Sequence, residues 1–233
     1  MQKKKIIIFS TLESIISIPL VYHVVSNKKL KNYKFDIHLT KSNFIRSIKV
    51  LLVIIFYGSI IDLYKSYNKR KTLDDLKKFK NIKILKKVTN TRYKFGLSIY
   101  ATTKLNLKKY KIYNFHLGSL FNQRGSFIFL YKFYYKWDSV SLTFHQIGKR
   151  FDVGKIINER KIEKIKNKNA FYIIKLYLGN LDFLIESIEK LKKRTKYKEY
   201  KNFKKLFLVP KFSKIIYLIF CRIFFISKKK LSQ

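Results

Sequence analysis

The sequence predicts an α/β protein: a Rossmann-like, mostly parallel sheet with helices on both faces, extended at its C-terminus by a basic, apolar segment. Three observations carry this. An apolar run that reads as a buried parallel strand, Lys5–Phe9, is followed by a loop at 10–14 and then a helical segment, Ile15–Val25. Period-two segments recur further along, at 32–38, 93–100 and 111–116. Finally, 47% hydrophobic and 17% aromatic residues in a chain of 233 suffice for one sizeable core, which separates this chain from disordered ones in spite of its charge. The expected organisation is one domain over 1–194 and an extension over 195–233.

Met1–Val25 imitates a secretory signal, with Lys3–Lys5 ahead of an apolar run. Glu13 and Ser14 interrupt that run and no small-residue cleavage site follows, so a first strand and helix are expected instead. Asn32–His38 alternates as the second strand. Phe44–Tyr64 reads as a long apolar helix. Its least charged part, Val50–Ile61, covers about twelve residues where a bilayer span needs about twenty, so a buried or interface helix is expected. Lys49, Lys65 and Lys69 flank it, which makes a helix lying on a membrane surface the alternative. Thr72–Lys87 is charged, a solvated helix from Asp74 to Phe79 before a short strand at Ile82–Leu85. Tyr93–Tyr100 is the next strand. Ala170–Lys193 reads as one amphipathic helix with Leu176, Leu181, Leu184, Ile188 and Leu191 turned inward. Lys196–Lys205 reads as a solvated connector. Leu206–Ser227 is apolar but broken by Pro210, Lys211, Lys214 and Arg222, a pattern compatible with packing back on the domain, with a homodimer interface or with a membrane surface.

The net charge of +40, with an isoelectric point near 10.2, is of the kind that binds nucleic acid or anionic membranes. The lysines are spread along the whole chain instead of being collected on one motif, which favours a compositional origin and leaves nucleic acid as the disfavoured partner. Cys221 is the single cysteine, so no disulfide closes within the chain and no cysteine cluster can hold a metal. A reducing, cytoplasmic compartment is compatible with this, with the inner face of the membrane as a peripheral location. No Gly-x-Gly-x-x-Gly fingerprint occurs, so a dinucleotide cofactor is not indicated.

Placed polar chemistry is concentrated between Lys111 and Ile157. Lys111–His116 alternates with period two, so Asn114 and His116 leave the same side of one strand. The chain breaks at Gly118, passes Ser119, Asn122 and Gln123, and turns again at Arg124–Gly125, where Ser126 is a reasonable cap for a core helix over Phe127–Trp137. Val140–Ile147 returns to period two, with Ser141, Thr143 and His145 on one side. The turn Arg150–Gly154 then delivers Asp152 to a strand-to-strand corner before Lys155–Ile157. Taken singly, each of these residues also has a structural role open to it: Asn114 as a turn cap, His116 as a buried hydrogen-bonded histidine, Asp152 as an Asx-turn residue. His145 reads as structural.

This order resembles the 10-formyltetrahydrofolate-dependent formyltransferase family, which includes methionyl-tRNA formyltransferase, glycinamide ribonucleotide formyltransferase and the sugar N-formyltransferases. The family pattern is Asn-x-His-Pro-(Ser/Gly)-x-Leu-Pro-x-x-Arg-Gly, then Thr-x-His, then Asp-x-Gly before Ile-Ile. Asn114, His116, Gly118, Leu120, Arg124, Gly125, Thr143, His145, Asp152, Gly154, Ile156 and Ile157 match it in order and spacing. Leu117 and Phe121 stand where the family has its two loop prolines, and Lys149 and Arg150 replace residues that are usually acidic. Gly118 resembles the sugar-modifying branch.

The resemblance implies the formyltransferase fold and transfer of a formyl group from 10-formyltetrahydrofolate to a primary amine, foremost that of a nucleotide-linked amino sugar. It implies Asn114, His116 and Asp152 as catalytic residues: Asn114 and His116 as donors to an oxyanion, worth roughly 3 kcal/mol per donor, and Asp152 as the group that sets His116 and takes the amine's proton. Ile99, Tyr100, Ala101 and Phe151 are the implied folate-binding positions, and no metal is required. A methionyl-tRNA or glycinamide ribonucleotide acceptor is the alternative within the same chemistry, although 233 residues are too few for the catalytic domain together with the barrel domain of the tRNA enzyme. The alternative from another class is a basic RNA-binding or ribosome-associated protein without catalysis.

Overall fold

A computed structural model describes residues 4–11, 17–41, 44–45, 48–49, 51–52, 71–88, 92–101, 110–125, 128, 131–132, 135, 137–148, 152–163, 165, 168–191, 197, 206–207, 211–213, 215–217 and 219–220. Along the chain the elements are β1 (Lys4–Thr11), α1 (Ser17–Ser26), β2 (Tyr33–Thr40), α2 (Leu73–Lys77), β3 (Ile82–Leu85), β4 (Phe95–Ile99), β5 (Ile112–Leu117), β6 (Arg124–Gly125), β7 (Val140–Gln146), β8 (Ile156–Ile162), α3 (Ala170–Gly179), α4 (Leu181–Lys190) and β9 (Leu206–Phe207).

Seven strands make one sheet in the order β3-β2-β1-β4-β5-β7-β8. The strands from β3 to β5 are parallel, whereas β7 runs antiparallel to β5 and β8 antiparallel to β7. The mostly parallel α/β sheet expected from the sequence is therefore present. Its strand order reverses between β1 and β4, the kind of place where open sheets form a ligand crevice.

β1 explains why the sheet has two buried faces. Ile6 and Ile8 join the core shared with Leu20, Val21, Val24 and Leu184, while Ile7 and Phe9 join Tyr93 and Ile112 on the other side. A strand buried on both faces needs a continuous apolar run, which is what Ile6–Phe9 supplies. α1 carries Pro19 in its first turn, where the missing N–H would have had no helical partner. α2 is closed by a capping box: Thr72 Oγ1 accepts from Asp75 N at 3.3 Å and Asp75 Oδ2 accepts from Thr72 N at 2.9 Å.

Two readings change. The helix expected over 170–193 is two helices, broken at Gly179–Asn180, where both the main-chain N and the side-chain Nδ2 of Asn180 donate to Leu176 O. A glycine followed by a residue able to satisfy the last carbonyls ends a helix. Arg124–Gly125, expected as the turn that starts a helix, is a strand paired parallel with Leu206–Phe207. The extension thus packs back on the domain at Phe207, Ile215 and Ile219, which meet Ile128, Tyr131 and Val140, while Phe212, Ile216, Tyr217 and Phe220 are exposed.

Of the helix expected over 44–64, residues 44–45, 48–49 and 51–52 are helical and the others lie outside the described residues, as do most of 126–137. Among the described residues no helix is long and apolar enough to cross a membrane.

Candidate active site

β5 sets the site. Tyr113 and Phe115 point into the core behind the sheet, so the alternation turns Asn114 and His116 to the opposite face. β7 lies antiparallel beside it, with Asn114 opposite His145 and His116 opposite Thr143, so four polar side chains share that face.

The loop after β5 is held without prolines. Gly118 N donates to Ser141 O at 2.6 Å, and Thr143 Oγ1 donates to Gly118 O at 2.8 Å. Gln123 is the hub: its Oε1 accepts from Ser119 N at 3.2 Å and Ser141 N at 3.1 Å, and its Nε2 donates to Ser139 O at 2.9 Å. Its carbonyl oxygen accepts from His116 Nε2 at 2.9 Å. Because a carbonyl can only accept, the Nε2 of His116 carries a proton, and its Nδ1 is the nitrogen left to face the site. Gly118 has φ 139, and a β-carbon there would collide with the Gln123 carbonyl oxygen and lie 2.8 Å from His116 Nε2.

Asp152, in the connection between β7 and β8, folds back over this face. It occupies the left-handed region at φ 48, a conformation that Asp tolerates better than most residues. Oδ2 accepts from Gly125 N at 2.7 Å, and Oδ1 lies 3.4 Å from Asn114 Nδ2 and 3.7 Å from His116 Nδ1. The structure therefore brings together the amide, the imidazole and the carboxylate that the sequence singles out, with His116 buried at 7% exposure.

Two further residues belong to this arrangement. His145, read from sequence as structural, is fully buried and joins the cluster: Nδ1 meets Gln146 O at 3.1 Å, Nε2 meets Asn114 Nδ2 at 3.3 Å, and Nε2 lies 3.9 Å from Asp152 Oδ1. With Nδ1 donating to a carbonyl, Nε2 is the acceptor, which fixes the orientation of the Asn114 amide. Burial pushes the pKa of His145 down to about 4; Asp152 opposes the shift and His116 adds to it. Behind the sheet, Tyr177 donates its hydroxyl to Phe115 O, between Asn114 and His116, and stacks on Phe115 with ring centres 4.4 Å apart. Burial, followed by the proximity of Tyr100 and Asp152, raises its pKa, so it stays a neutral donor. The pairing of β5 with β7, which sequence spacing does not contain, is what recruits His145.

The expected folate positions lie at the end of β4, beside β5 in the register Ser98 to Asn114 and Ile99 to Phe115. The side chain of Ile99 is in the core at 1% exposure, and its carbonyl accepts from Ser10 Oγ at 2.7 Å. Tyr100, at φ 55, turns the main chain, and its carbonyl accepts from Thr11 Oγ1 at 2.8 Å. Ala101 is half-buried, and Phe151 lies outside the described residues. A cavity of about 580 Å³ is lined by Ser119, Gln123, Ser141, Asn158 and Lys161 and not by Asn114, His116 or Asp152. Among the described residues no cluster of His, Cys, Asp and Glu could hold a metal ion.

No protein-family model matches the chain, and no curated protein matches it. Solved structures do. HypX from Aquifex aeolicus in complex with tetrahydrofolic acid superposes with a TM-score of 0.56 at 14% identity, over 92% of this chain and 31% of that one. WlaRD, a sugar 3N-formyl transferase crystallised with dTDP and 5-N-formyl-THF, superposes with a TM-score of 0.58 at 16% identity, over 89% of this chain and 70% of that one. A 4-N formyltransferase from Francisella tularensis gives 0.57 at 17% identity, over 90% and 78%. The chain spans about a third of the length of HypX and most of the length of the other two formyltransferases. Its fold is the formyltransferase fold.

Proposed function

We propose that this chain transfers a formyl group from 10-formyltetrahydrofolate to a primary amine, that of a nucleotide-linked amino sugar. The observation that carries the reading is the convergence of Asn114, His116 and Asp152 on one face of β5, with Asp152 Oδ1 3.4 Å from the amide and 3.7 Å from the imidazole. WlaRD and HypX, which share the fold, were crystallised with folates, and WlaRD also with dTDP, which supports a folate donor and a nucleotide-linked acceptor. The net charge of +40 favours an anionic acceptor over a neutral one.

The chemistry needs one base and two donors. The amine attacks the formyl carbon, the C–N bond forms, and the carbonyl electrons move to oxygen. Asp152 takes the proton the amine sheds, directly or through a water. His116 donates to the oxyanion through Nδ1 in its doubly protonated form, whose charge the neighbouring Asp152 carboxylate offsets, since Nε2–H is committed to Gln123 O. Asn114 donates through Nδ2; its contacts to His145 and Asp152 are long, at 3.3 and 3.4 Å, so redirecting one hydrogen to the oxyanion costs little. Collapse of the intermediate breaks the bond to the folate nitrogen N10, which receives the proton held by Asp152, leaving a formamide and tetrahydrofolate with the proton count unchanged. In this reading a folate would lie at the end of β4, where Tyr100 turns the main chain, held by main-chain groups of residues 99–101.

Mass spectrometry of candidate amino-sugar nucleotides incubated with the protein and 10-formyltetrahydrofolate tests the reading. The expected product carries one added formyl group, absent with Asn114→Ala, His116→Ala and Asp152→Ala. Equal turnover by all three variants sinks it.

A further inference from the structure

The C-terminal extension has no assigned part in this chemistry, yet it touches the residue that holds the carboxylate. β9, Leu206–Phe207, pairs with Arg124–Gly125, and the two main chains are pressed together. A β-carbon on Gly125, whose φ is 108, would collide with the Phe207 carbonyl oxygen and lie 2.7 Å from its carbonyl carbon. Only glycine admits so close a neighbour in that conformation. The N–H of the same Gly125 donates to Asp152 Oδ2 at 2.7 Å. Main chain of the extension, Gly125 and the carboxylate thus stand in direct succession.

Phe207 is anchored from the other side. It is 7% exposed, and its ring lies 4.7 Å from that of Tyr131 and 5.4 Å from those of Tyr135 and Trp137. A two-residue strand pairing supplies too few hydrogen bonds to order itself against its entropy, so the aromatic cluster is what keeps β9 in place.

We propose that the C-terminal segment is a positioning element of the active site: Phe207, seated among Tyr131, Tyr135 and Trp137, holds β9 against Gly125 so that the Gly125 N–H fixes one oxygen of Asp152 and turns the other toward Asn114 and His116. This rests on the formyl-transfer reading. Asp152 sits in a left-handed conformation, which favours departure once its side-chain tether is loosened. Without β9 the Gly125 amide is free to rotate away, and Oδ1 loses its direction while every catalytic side chain is still present.

The test uses the full chain carrying Phe207→Ala or Phe207→Leu, with Phe220→Ala, an exposed aromatic of the same extension, as control. Two measurements are made. One is formyl transfer, with kcat and the KM for 10-formyltetrahydrofolate determined separately. The other needs no activity: the chemical shift and hydrogen exchange of the assigned Gly125 amide, with Asp152→Asn as reference. Phe207→Ala is expected to lower kcat on the order of 10- to 100-fold, to leave the folate KM within about twofold, and to speed exchange at Gly125; Phe207→Leu recovers most of both, and Phe220→Ala changes neither. If Phe207→Ala does not fold, Phe207→Leu carries the comparison with smaller changes of the same sign. An unchanged kcat and an unchanged Gly125 amide in a folded Phe207 variant overturn the proposal. A wild-type protein that formylates no amine fails the parent reading alone, because the Gly125 amide still reports whether Phe207 holds it.

Discussion

The His116 ring and the carbonyl of Gln123 are joined at 2.9 Å through Nε2, which leaves Nδ1 as the nitrogen directed at Asp152. This bond ties the imidazole to the 118–123 loop, so that one ring nitrogen is held by structure and the other is left facing the carboxylate.

Gln123→Ala is expected to remove that stiffening. It orphans the buried N–H groups of Ser119 and Ser141 and the carbonyl of Ser139, each worth about 1 kcal/mol or more when unpaired. Thermal unfolding should show a midpoint lower by roughly 5 to 10 °C, taking 2–4 °C per kcal/mol for a chain of this size. Formyl transfer at a permissive temperature should fall as well, because the main-chain carbonyl that accepts from His116 Nε2, although kept in the variant, then sits in a loop no longer fixed by the Gln123 side chain.

Gly118→Ala should be more damaging than its size suggests. The new methyl would strike the Gln123 carbonyl and crowd His116 Nε2, in a backbone conformation that non-glycine residues avoid at about 1–3 kcal/mol. The expected result is loss of formyl transfer by about 10²-fold together with a destabilised chain, read by kinetics and by urea unfolding.

Asp152→Asn preserves size and keeps an oxygen for Gly125 N–H but cannot take the amine's proton. A fall in kcat of about 10² to 10⁴ is expected, with little change in stability. Stability unchanged and kcat within about twofold of wild type would remove Asp152 from the reaction.

His145 sets a pH dependence of stability. Its pKa is about 4 in the folded chain and 6.5 in the unfolded one, so between those values the unfolded chain binds more protons. The sign follows: stability from neutral His145 is fully present above pH 6.5, is lost as pH falls toward 4, and totals about 3 kcal/mol. Urea unfolding at pH 7 and pH 5 should show this slope, and His145→Gln, which offers a donor and an acceptor without titrating, should flatten it.

Tyr177→Phe removes one buried hydroxyl and leaves the Phe115 carbonyl without that donor, at a cost of about 1 kcal/mol. Because Phe115 lies between Asn114 and His116, the variant should also transfer formyl groups more slowly, measured as kcat at saturating folate.

That Asn114 and His116 share a face is legible because strand alternation is local, whereas Asp152, 36 residues further on, is singled out by the resemblance to the formyltransferase motif; the strands β1, β2, β3, β4, β5, β7 and β8 are legible from short apolar or alternating runs. His145 was not, since its part depends on which residue of β5 it faces across an antiparallel pair. The Gly179–Asn180 break carried its own signal, a glycine in a helical run, and the apolar periodicity on both sides masked it. The β6–β9 contact joins residues 124–125 to 206–207, two positions on each side, too short for any pattern to mark and too distant for spacing to connect.

Asn114 faces His145, and His116 faces Thr143, on neighbouring strands whose side chains alternate between the two sides of the sheet. Losing or gaining a single residue within β5 would flip the parity of everything beyond it and deliver Phe115 or Leu117 to the face that now carries Asn114 and His116. Length changes in this strand therefore keep the arrangement only in pairs, and a homologue with an odd shift there would lack the juxtaposed amide, imidazole and carboxylate, however well the rest of its sheet aligned.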